Sequence, residues 1–187
     1  LSSGYPYGCV VSQDGYLIYG DGSSIHEIQL SNPSSIAKTY SGEAGRWGII
    51  ISADDTKIYY TDPNDYTIYA VPRNGDSRIT IDARAGGRGW LVLSADQNTI
   101  YTTSFNTHNV QKLDLTTDPP TASVLAGTGS TGATDGTGTD AAFNTLGSLD
   151  ISPDGSFLLV SDKSNHVIRK VTTGASVTTY TGPCTSC

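Results

Sequence analysis

The chain has 187 residues, of which 36% are hydrophobic and 16% charged, enough for one packed domain or one array of repeats. Its net charge of −7 disfavours general nucleic-acid binding, because an acidic surface repels the phosphate backbone. No apolar run approaches the roughly 20 residues that a membrane-spanning helix needs. The sequence begins at Leu1 and contains no methionine, so we expect a processed chain or a fragment of a longer protein.

Four segments of the chain share a serine that is followed two positions later by an aspartate. These pairs are Ser12/Asp14, Ser52/Asp54, Ser94/Asp96 and Ser152/Asp154. They recur at intervals of about 40 residues, the last interval being longer, and periods of this length are typical of repeats with several strands each. The longer interval contains a glycine-rich insertion around residues 128–145.

Each segment predicts four β-strands. The predicted ranges are 8–12, 16–19, 25–30 and 36–40; 48–52, 57–61, 67–71 and 78–82; 89–94, 99–103, 109–115 and 122–126; 148–152, 157–161, 167–172 and 176–181. Turn-forming residues lie where each first hairpin must reverse, for example Asp14-Gly15 and Asp154-Gly155. The first strands are nearly all apolar, so we expect them to be buried on both faces.

The remaining local patterns also favour strands over helices. The last strands are rich in threonine, as in Val177-Thr178-Thr179-Tyr180, which suits an exposed sheet edge. No helical period of 3.6 residues persists. The one helix-like piece, residues 140–143, predicts a single turn that places Phe143 between two sheets.

The stretch 124–171 resembles the NHL repeat. Its glycine-rich turn is followed, in the family's order, by Asp135-Gly136, Ala141-Ala142-Phe143, Asp154-Gly155, Asp162, Asn165-His166 and Arg169-Lys170. The second segment is similar to the YWTD motif, since Lys57-Ile58-Tyr59-Tyr60-Thr61-Asp62 has Tyr60 where that family has Trp. Both resemblances imply an all-β fold, a β-propeller of four-stranded antiparallel blades.

The resemblance divides the chain into a propeller over residues 1–182 and the start of a possible cysteine-rich segment at 183–187. The blades would span about 5–43, 44–86, 87–127 and 128–182. Propellers of these families usually close with about six blades, and four are visible. The other blades could lie upstream of Leu1, the ring could be smaller, or another chain could complete it.

Carboxylates recur at the end of the second strand of the repeats. Asp21, Asp62 and Asp162 hold this place, and Ser104 replaces them in the third segment. We interpret them as structural, because a carboxylate there can accept hydrogen bonds from the N–H groups of the following turn. A ring of carboxylates that binds a cation is the alternative. Asn165, His166 and Arg169 belong to the same repeat pattern and are also interpreted as structural.

The three histidines raise the question of a metal. Comparison with the amidating lyases of this fold implies a zinc site held by histidines of different blades. However, His26, His108 and His166 lie near repeat-equivalent positions, which a ring would spread apart, whereas metal ligands must converge. We therefore expect no metal ligands, no catalytic residues and no cofactor.

Residues 127–132 match the G-x-G-x-x-G pattern of dinucleotide-binding loops. No helix-forming segment follows them, and dinucleotide binding requires such a helix.

Two tryptophans are the candidate binding residues. Trp47 and Trp90 both precede first strands, and Arg46 and Arg88 lie beside them. These four residues could line a ligand-binding face at the mouth of the ring. The tryptophans could equally pack between blades, and the sequence leaves both readings open.

The cysteines indicate the cellular compartment in which we expect the protein. Cys9 in the first strand is too far from the last strand to pair with Cys184, so we expect a buried, inert thiol. Cys184 and Cys187 would pair with cysteines of a following module or another chain, outside the cell where disulfides persist. A free, reduced tail in a cytosolic protein is the alternative. Residues 116–121 could carry O-linked glycans if the protein is secreted, but we favour a plain exposed loop.

Taken together, these patterns predict an extracellular or cell-surface module for protein interaction or assembly. Its partner would be a protein or another copy of the chain. The alternative is an enzyme on the same fold, a lyase or a lactonase-like hydrolase with a metal in the central channel. An intracellular RNA-binding NHL domain is disfavoured by the negative charge.

Overall fold

The computed structural model describes residues 8–42, 48–62, 64–75, 77–82 and 89–181. It divides into two compact units, Leu1–Arg84 (unit 1) and Ala85–Cys187 (unit 2). Apart from two short 3-10 turns, at Gly138–Asp140 and Lys163–Asn165, all regular structure among the described residues is β-strand. The prediction of an all-β fold is therefore confirmed.

Unit 1 contains two four-stranded antiparallel sheets, and each strand pairs with the next one in the sequence. The first sheet has β1 (Cys9–Val11), β2 (Tyr16–Gly20), β3 (Ser24–Gln29) and β4 (Ile36–Ser41). The second sheet has β5 (Ile49–Ile51), β6 (Lys57–Thr61), β7 (Ile68–Pro72) and β8 (Ile79–Asp82). This meander is the topology expected of a propeller blade.

Unit 2 repeats the arrangement with one addition. The third sheet has β9 (Leu91–Leu93), β10 (Thr99–Ser104), β11 (Asn109–Asp114) and β12 (Thr121–Ala126). The fourth has β14 (Leu146–Ile151), β15 (Phe157–Asp162), β16 (Val167–Thr172) and β17 (Ser176–Thr181). The short β13 (Gly136–Thr137), which no sequence pattern predicted, pairs with β17 as a fifth strand.

Each unit has a hydrophobic core between its two sheets. In unit 1 the core includes Ile18 and Ile25 of the first sheet and Ile58 and Tyr60 of the second, all fully buried. In unit 2 Phe143 is fully buried among residues of the third and fourth sheets, as the sequence predicted. Burying side chains of this size contributes about 1.5–3 kcal/mol each, so face-to-face sheet packing stabilises each unit.

The first strand of the chain is more exposed than predicted. Val11 is 56% exposed and the Cys9 side chain is also exposed, so the expectation of a buried thiol is wrong. Side chains alternate between the two faces of a strand, and Val10 is the residue that packs against the core. Cys9 and Val11 therefore lie on the opposite face. Cys184 and Cys187 fall outside the described residues.

The repeated serine and aspartate build the first hairpin turn of every sheet. The serine hydroxyl donates to the aspartate two residues later, at 2.5–2.6 Å, and accepts the N–H of the residue that begins the second strand. Hydrogen bonds from Ser52, the largest cause, and from Thr56 lower the pKa of Asp54 to about 2, and those from Ser152 and Ser156 lower the pKa of Asp154 to about 2. The sequence signal of the repeat is thus a hydrogen-bonded turn.

These turns predict a loss of stability in acid. Because the folded pKa of Asp154 lies below its ordinary value of 3.8, its ionised form stabilises the fold above pH 3.8, and this contribution is lost as the pH falls towards 2. Ser152→Ala removes the hydrogen bond that contributes most to this shift. We expect a lower thermal midpoint at pH 5 and a gap to the wild type that narrows between pH 4 and pH 2.

The measurement is a series of thermal unfolding curves for wild type and variant. Ser164→Ala is the matched control, because Ser164 is exposed and only its backbone N–H makes a hydrogen bond, to Asn144. A gap between Ser152→Ala and wild type that does not change with pH would contradict the assignment.

Candidate functional site

In each sheet, the repeat carboxylate or its serine replacement lies at the end where the second strand turns into the third. We call this the turn end of each sheet. The carboxylates Asp21, Asp62 and Asp162 lie there, and Ser104 holds the same position in the third sheet. They are all buried. Their partners determine whether they are available to a ligand.

Asp21 stabilises the turn between β2 and β3 of the first sheet. Its Oδ1 accepts the N–H groups of Ser23 and Ser24, both at 2.9 Å. Its Oδ2 lies 3.0 Å from Nε2 of His26, whose Nδ1 lies 3.0 Å from the Thr39 hydroxyl. The histidine of unit 1 is therefore buried within a hydrogen-bonded chain that links the turn after β2 to β3 and β4.

Asp62 occupies the corresponding position of the second sheet with a different partner. Its Oδ1 accepts the N–H of Asn64, and its Oδ2 lies 3.3 Å from Nη1 of Arg78. The Arg78 guanidinium also lies 4.0 Å above the Tyr69 ring, which favours a cation–π contact. This carboxylate thus holds its own turn and pairs with an arginine just before β8.

Asp162 forms a fully buried ion pair with Arg169, whose Nη1 donates to its Oδ2 at 2.8 Å. Asn165 donates to the same oxygen at 2.8 Å, and the backbone N–H of Asn144 donates to Oδ1. Arg169 also pairs with Asp135 through Nη2 at 2.7 Å. The repeat residues of this sheet therefore tie the glycine-rich insertion to β15 and β16.

The histidines of unit 2 have backbone roles in the turns. His108 and His166 both have positive φ, 45° and 56°, as Tyr66 does at the same place in the second sheet. Nδ1 of His108 accepts the N–H of Thr145, whereas the His166 side chain is exposed. Across the described residues, no three potential His, Cys, Asp or Glu ligands are grouped so that they could hold a metal ion.

Of the four predicted binding residues, the structure describes Trp90. Trp90 is half-buried and packs against the core of unit 2. This position fits the packing alternative for that tryptophan. Trp47, Arg46 and Arg88 lie outside the described residues.

A cleft at the turn end of the fourth sheet was not anticipated from the sequence. It has a volume of about 230 Å³, and Lys163 and His166 contribute cationic or potentially cationic groups beside the apolar Val167 and Ile168. Asp162 also lines the cleft, but its carboxylate is paired with Arg169. The cleft could accept a small anionic or amphipathic group. It depends on the 3-10 turn and on the bulge between Ile168 and Arg169, which leave no periodic sequence signal.

No helix in the described part of the chain is both long and apolar enough to cross a bilayer. Neither a protein-family model nor a curated protein matches the sequence.

Solved structures do resemble this chain. An auxiliary nutrient binding protein from Bacteroides ovatus superimposes with a TM-score of 0.79 at 17% identity, over 97% of this chain and 48% of its own. Its counterpart from Bacteroides thetaiotaomicron gives 0.78 at 17% identity, over 95% and 47%. Virginiamycin B lyase from Staphylococcus aureus gives 0.70 at 14% identity, over 97% and 56%. The chain thus spans about half the length of these structures, and at such identities the likeness shows the fold alone, which is of the β-propeller type.

Proposed function

We propose that this chain is an extracellular interaction module on an NHL-like and YWTD-like propeller scaffold, and that it binds a protein partner or a second copy of itself. The observation that carries the proposal is a set of large apolar side chains exposed on strands at sheet edges. Val11 (56% exposed) lies in a first strand, while Ile79 (52%) and Tyr180 (62%) lie in last strands. Exposed apolar groups on sheet edges favour contact with another protein.

The carboxylates at the turn ends support a binding role over catalysis, because each of them already has a structural partner within its own sheet. The buried carboxylates at these positions pair with His26, Arg78 and Arg169 and hold the turns of their own sheets. Two of the similar structures are auxiliary nutrient binding proteins, which supports a binding role for this scaffold. The extracellular location rests on the cysteine pattern of the sequence and remains part of the proposal.

Sedimentation velocity over a wide range of protein concentration tests the assembly form of this proposal. We expect a concentration-dependent dimer, and we expect Tyr180→Ser to shift the equilibrium towards the monomer. Phe105→Ser is the matched control, because Phe105 is an exposed aromatic residue in a turn, away from the sheet edge. A single monomeric species at every concentration would contradict self-assembly.

A propeller lyase is the second candidate, because one similar structure is an inactive virginiamycin B lyase variant with quinupristin. Incubation of the purified chain with quinupristin and divalent metal ions, followed by chromatography, tests it. We expect the quinupristin peak to remain unchanged. A new product peak that grows with protein concentration would make the chain an enzyme.

A further inference from the structure

A polar cleft of about 300 Å³ lies on one face of the third sheet, inside unit 2. Its lining residues include Asn98, Thr99, Lys112, Asp114, Thr121 and Ser123. In the strand register Thr99 lies opposite Asp114, Asp114 lies opposite Thr121, and Lys112 lies opposite Ser123. Because residues two apart on a strand share a face, these side chains lie on the same side of the sheet. The volume is at the lower end of ligand pockets, about 300–1,000 Å³.

The same place in the first sheet is filled by an arginine. Glu27 on β3 has the register position of Lys112, between β2 and Lys38 of β4. Nε and Nη2 of Arg73 donate to the two carboxylate oxygens of Glu27, both at 3.0 Å. The guanidinium also donates to Asp14 at 3.1 Å and lies 5.5 Å from the Tyr16 ring. Unit 1 thus uses an internal cationic side chain to occupy this face.

The residue that corresponds to Arg73 in unit 2 is Thr173. Both residues follow the third strand of their sheet, and both donate their backbone N–H to the turn of the first hairpin, Arg73 to Thr56 and Thr173 to Ser156. The Thr173 hydroxyl donates to the Ser156 carbonyl at 3.3 Å. A threonine side chain is too short to reach across the neighbouring face. The substitution explains why a cleft exists on the third sheet at the place that Arg73 occupies on the first.

The chemical groups of the open cleft differ from those of the filled one. The Lys112 ammonium is exposed and donates no hydrogen bond to any residue that the structure describes. Its charge helps to lower the pKa of Asp114 on the same strand, and it is available to an anionic group. Asp114 accepts the N–H and hydroxyl of Thr116 through Oδ1, and these bonds lower its pKa and keep it ionised. Its other oxygen can accept a ligand hydroxyl. Thr99, Thr121 and Ser123 add hydroxyl groups.

We propose that this cleft binds an acidic saccharide, with Lys112 pairing with the uronate carboxylate and Asp114 accepting hydrogen bonds from ring hydroxyls. The hydroxyl groups outnumber the charged groups in the cleft, which favours a polyhydroxylated ligand over a simple anion. The exposed cation favours an acidic sugar over a neutral one. This inference is independent of the proposed self-assembly.

Isothermal titration calorimetry with trigalacturonic acid, maltotriose and inorganic sulfate tests the proposal. We expect saturable binding of trigalacturonic acid, and binding of maltotriose that is at least about tenfold weaker. Sulfate should not displace the acidic saccharide at comparable concentration. If no saturable binding of trigalacturonic acid is found, or if sulfate competes as well as the saccharide, the proposal is overturned.

Variants assign the binding to this cleft. Lys112→Gln should remove the preference for the acidic saccharide, and Asp114→Asn should weaken both saccharides because its one remaining acceptor oxygen is used by Thr116. Lys57→Gln is the control, since Lys57 is an exposed lysine at the start of β6 in unit 1. Unchanged affinity in Lys112→Gln would show that the saccharide binds elsewhere and would overturn the assignment.

A filled cleft provides a second, independent test. The double variant Lys112→Glu with Thr173→Arg restores the residue pair that closes this place in unit 1. We expect it to abolish saccharide binding and to raise the thermal midpoint, which distinguishes a blocked cleft from a misfolded protein. Retained binding in a folded double variant would contradict the proposed position of the ligand.

Discussion

Replacing Arg169 with alanine is expected to lower the free energy of unfolding by about 3–5 kcal/mol. Arg169 and Asp162 are both fully buried, and their atoms are 2.8 Å apart. Removing the guanidinium leaves the Asp162 carboxylate in the protein interior without its counter-charge. It also removes the donors to the carbonyl groups of Ala142 and Thr134, which hold the glycine-rich insertion. The loss therefore combines an uncompensated charge with unsatisfied carbonyl groups.

Urea unfolding of the variant and the wild type measures this effect. Lys170→Ala is the matched control, because Lys170 is the next residue on β16, is half-buried, and contacts the Phe157 ring at 4.3 Å. An exposed cation–π contact contributes about 0.5–1 kcal/mol, so the control should lose far less. Equal losses in the two variants would show that the buried ion pair does not stabilise the fourth sheet.

The fold could be predicted well because its signals are local and repeated. Among the residues that the structure describes, sixteen of the seventeen strands correspond to predicted ranges. The serine and aspartate of each first hairpin mark the turn itself, as the hydrogen bond of Ser12 to Asp14 shows. The exception, β13, is two residues long and lies in the glycine-rich insertion, where pairing with β17 and not propensity determines the conformation.

The candidate sites were less predictable because they depend on residues that meet only after folding. Arg73 and Thr173 hold the same structural position in their sheets, but no sequence motif marks either of them. Their effect is seen on the neighbouring sheet of the same unit, where the arginine fills the space beside Glu27 and the threonine leaves a cleft beside Lys112. The exposure of Cys9 likewise follows from which face of β1 packs on the core. Periodicity identifies the strands, whereas register and side-chain length determine the cavities between them.

Gly127→Ala is expected to lower the free energy of unfolding by about 2–5 kcal/mol, through steric overlap and backbone strain together. Gly127 has a φ of +116°, which side chains of L-residues rarely adopt. A Cβ atom there would lie 2.7 Å from the carbonyl oxygen of His108 and 2.8 Å from Cα of Asn109. These backbone atoms lie just before β11 and at its first residue, and they cannot rotate away. The N–H of Gly127 donates to Gly138 at 3.0 Å, so the position is also fixed on the other side.

Gly129→Ala separates the two causes. Gly129 also has a positive φ, +86°, but a Cβ atom there would meet only the Thr107 carbonyl oxygen, at 3.9 Å. This variant carries the conformational strain without the overlap, so we expect a loss of about 1–2 kcal/mol in the same urea experiment. The difference between the variants then measures how closely the insertion packs on the turn of the third sheet. Similar losses would mean that the close approach at Gly127 is relieved by movement of the insertion, and that this glycine is required only for its φ.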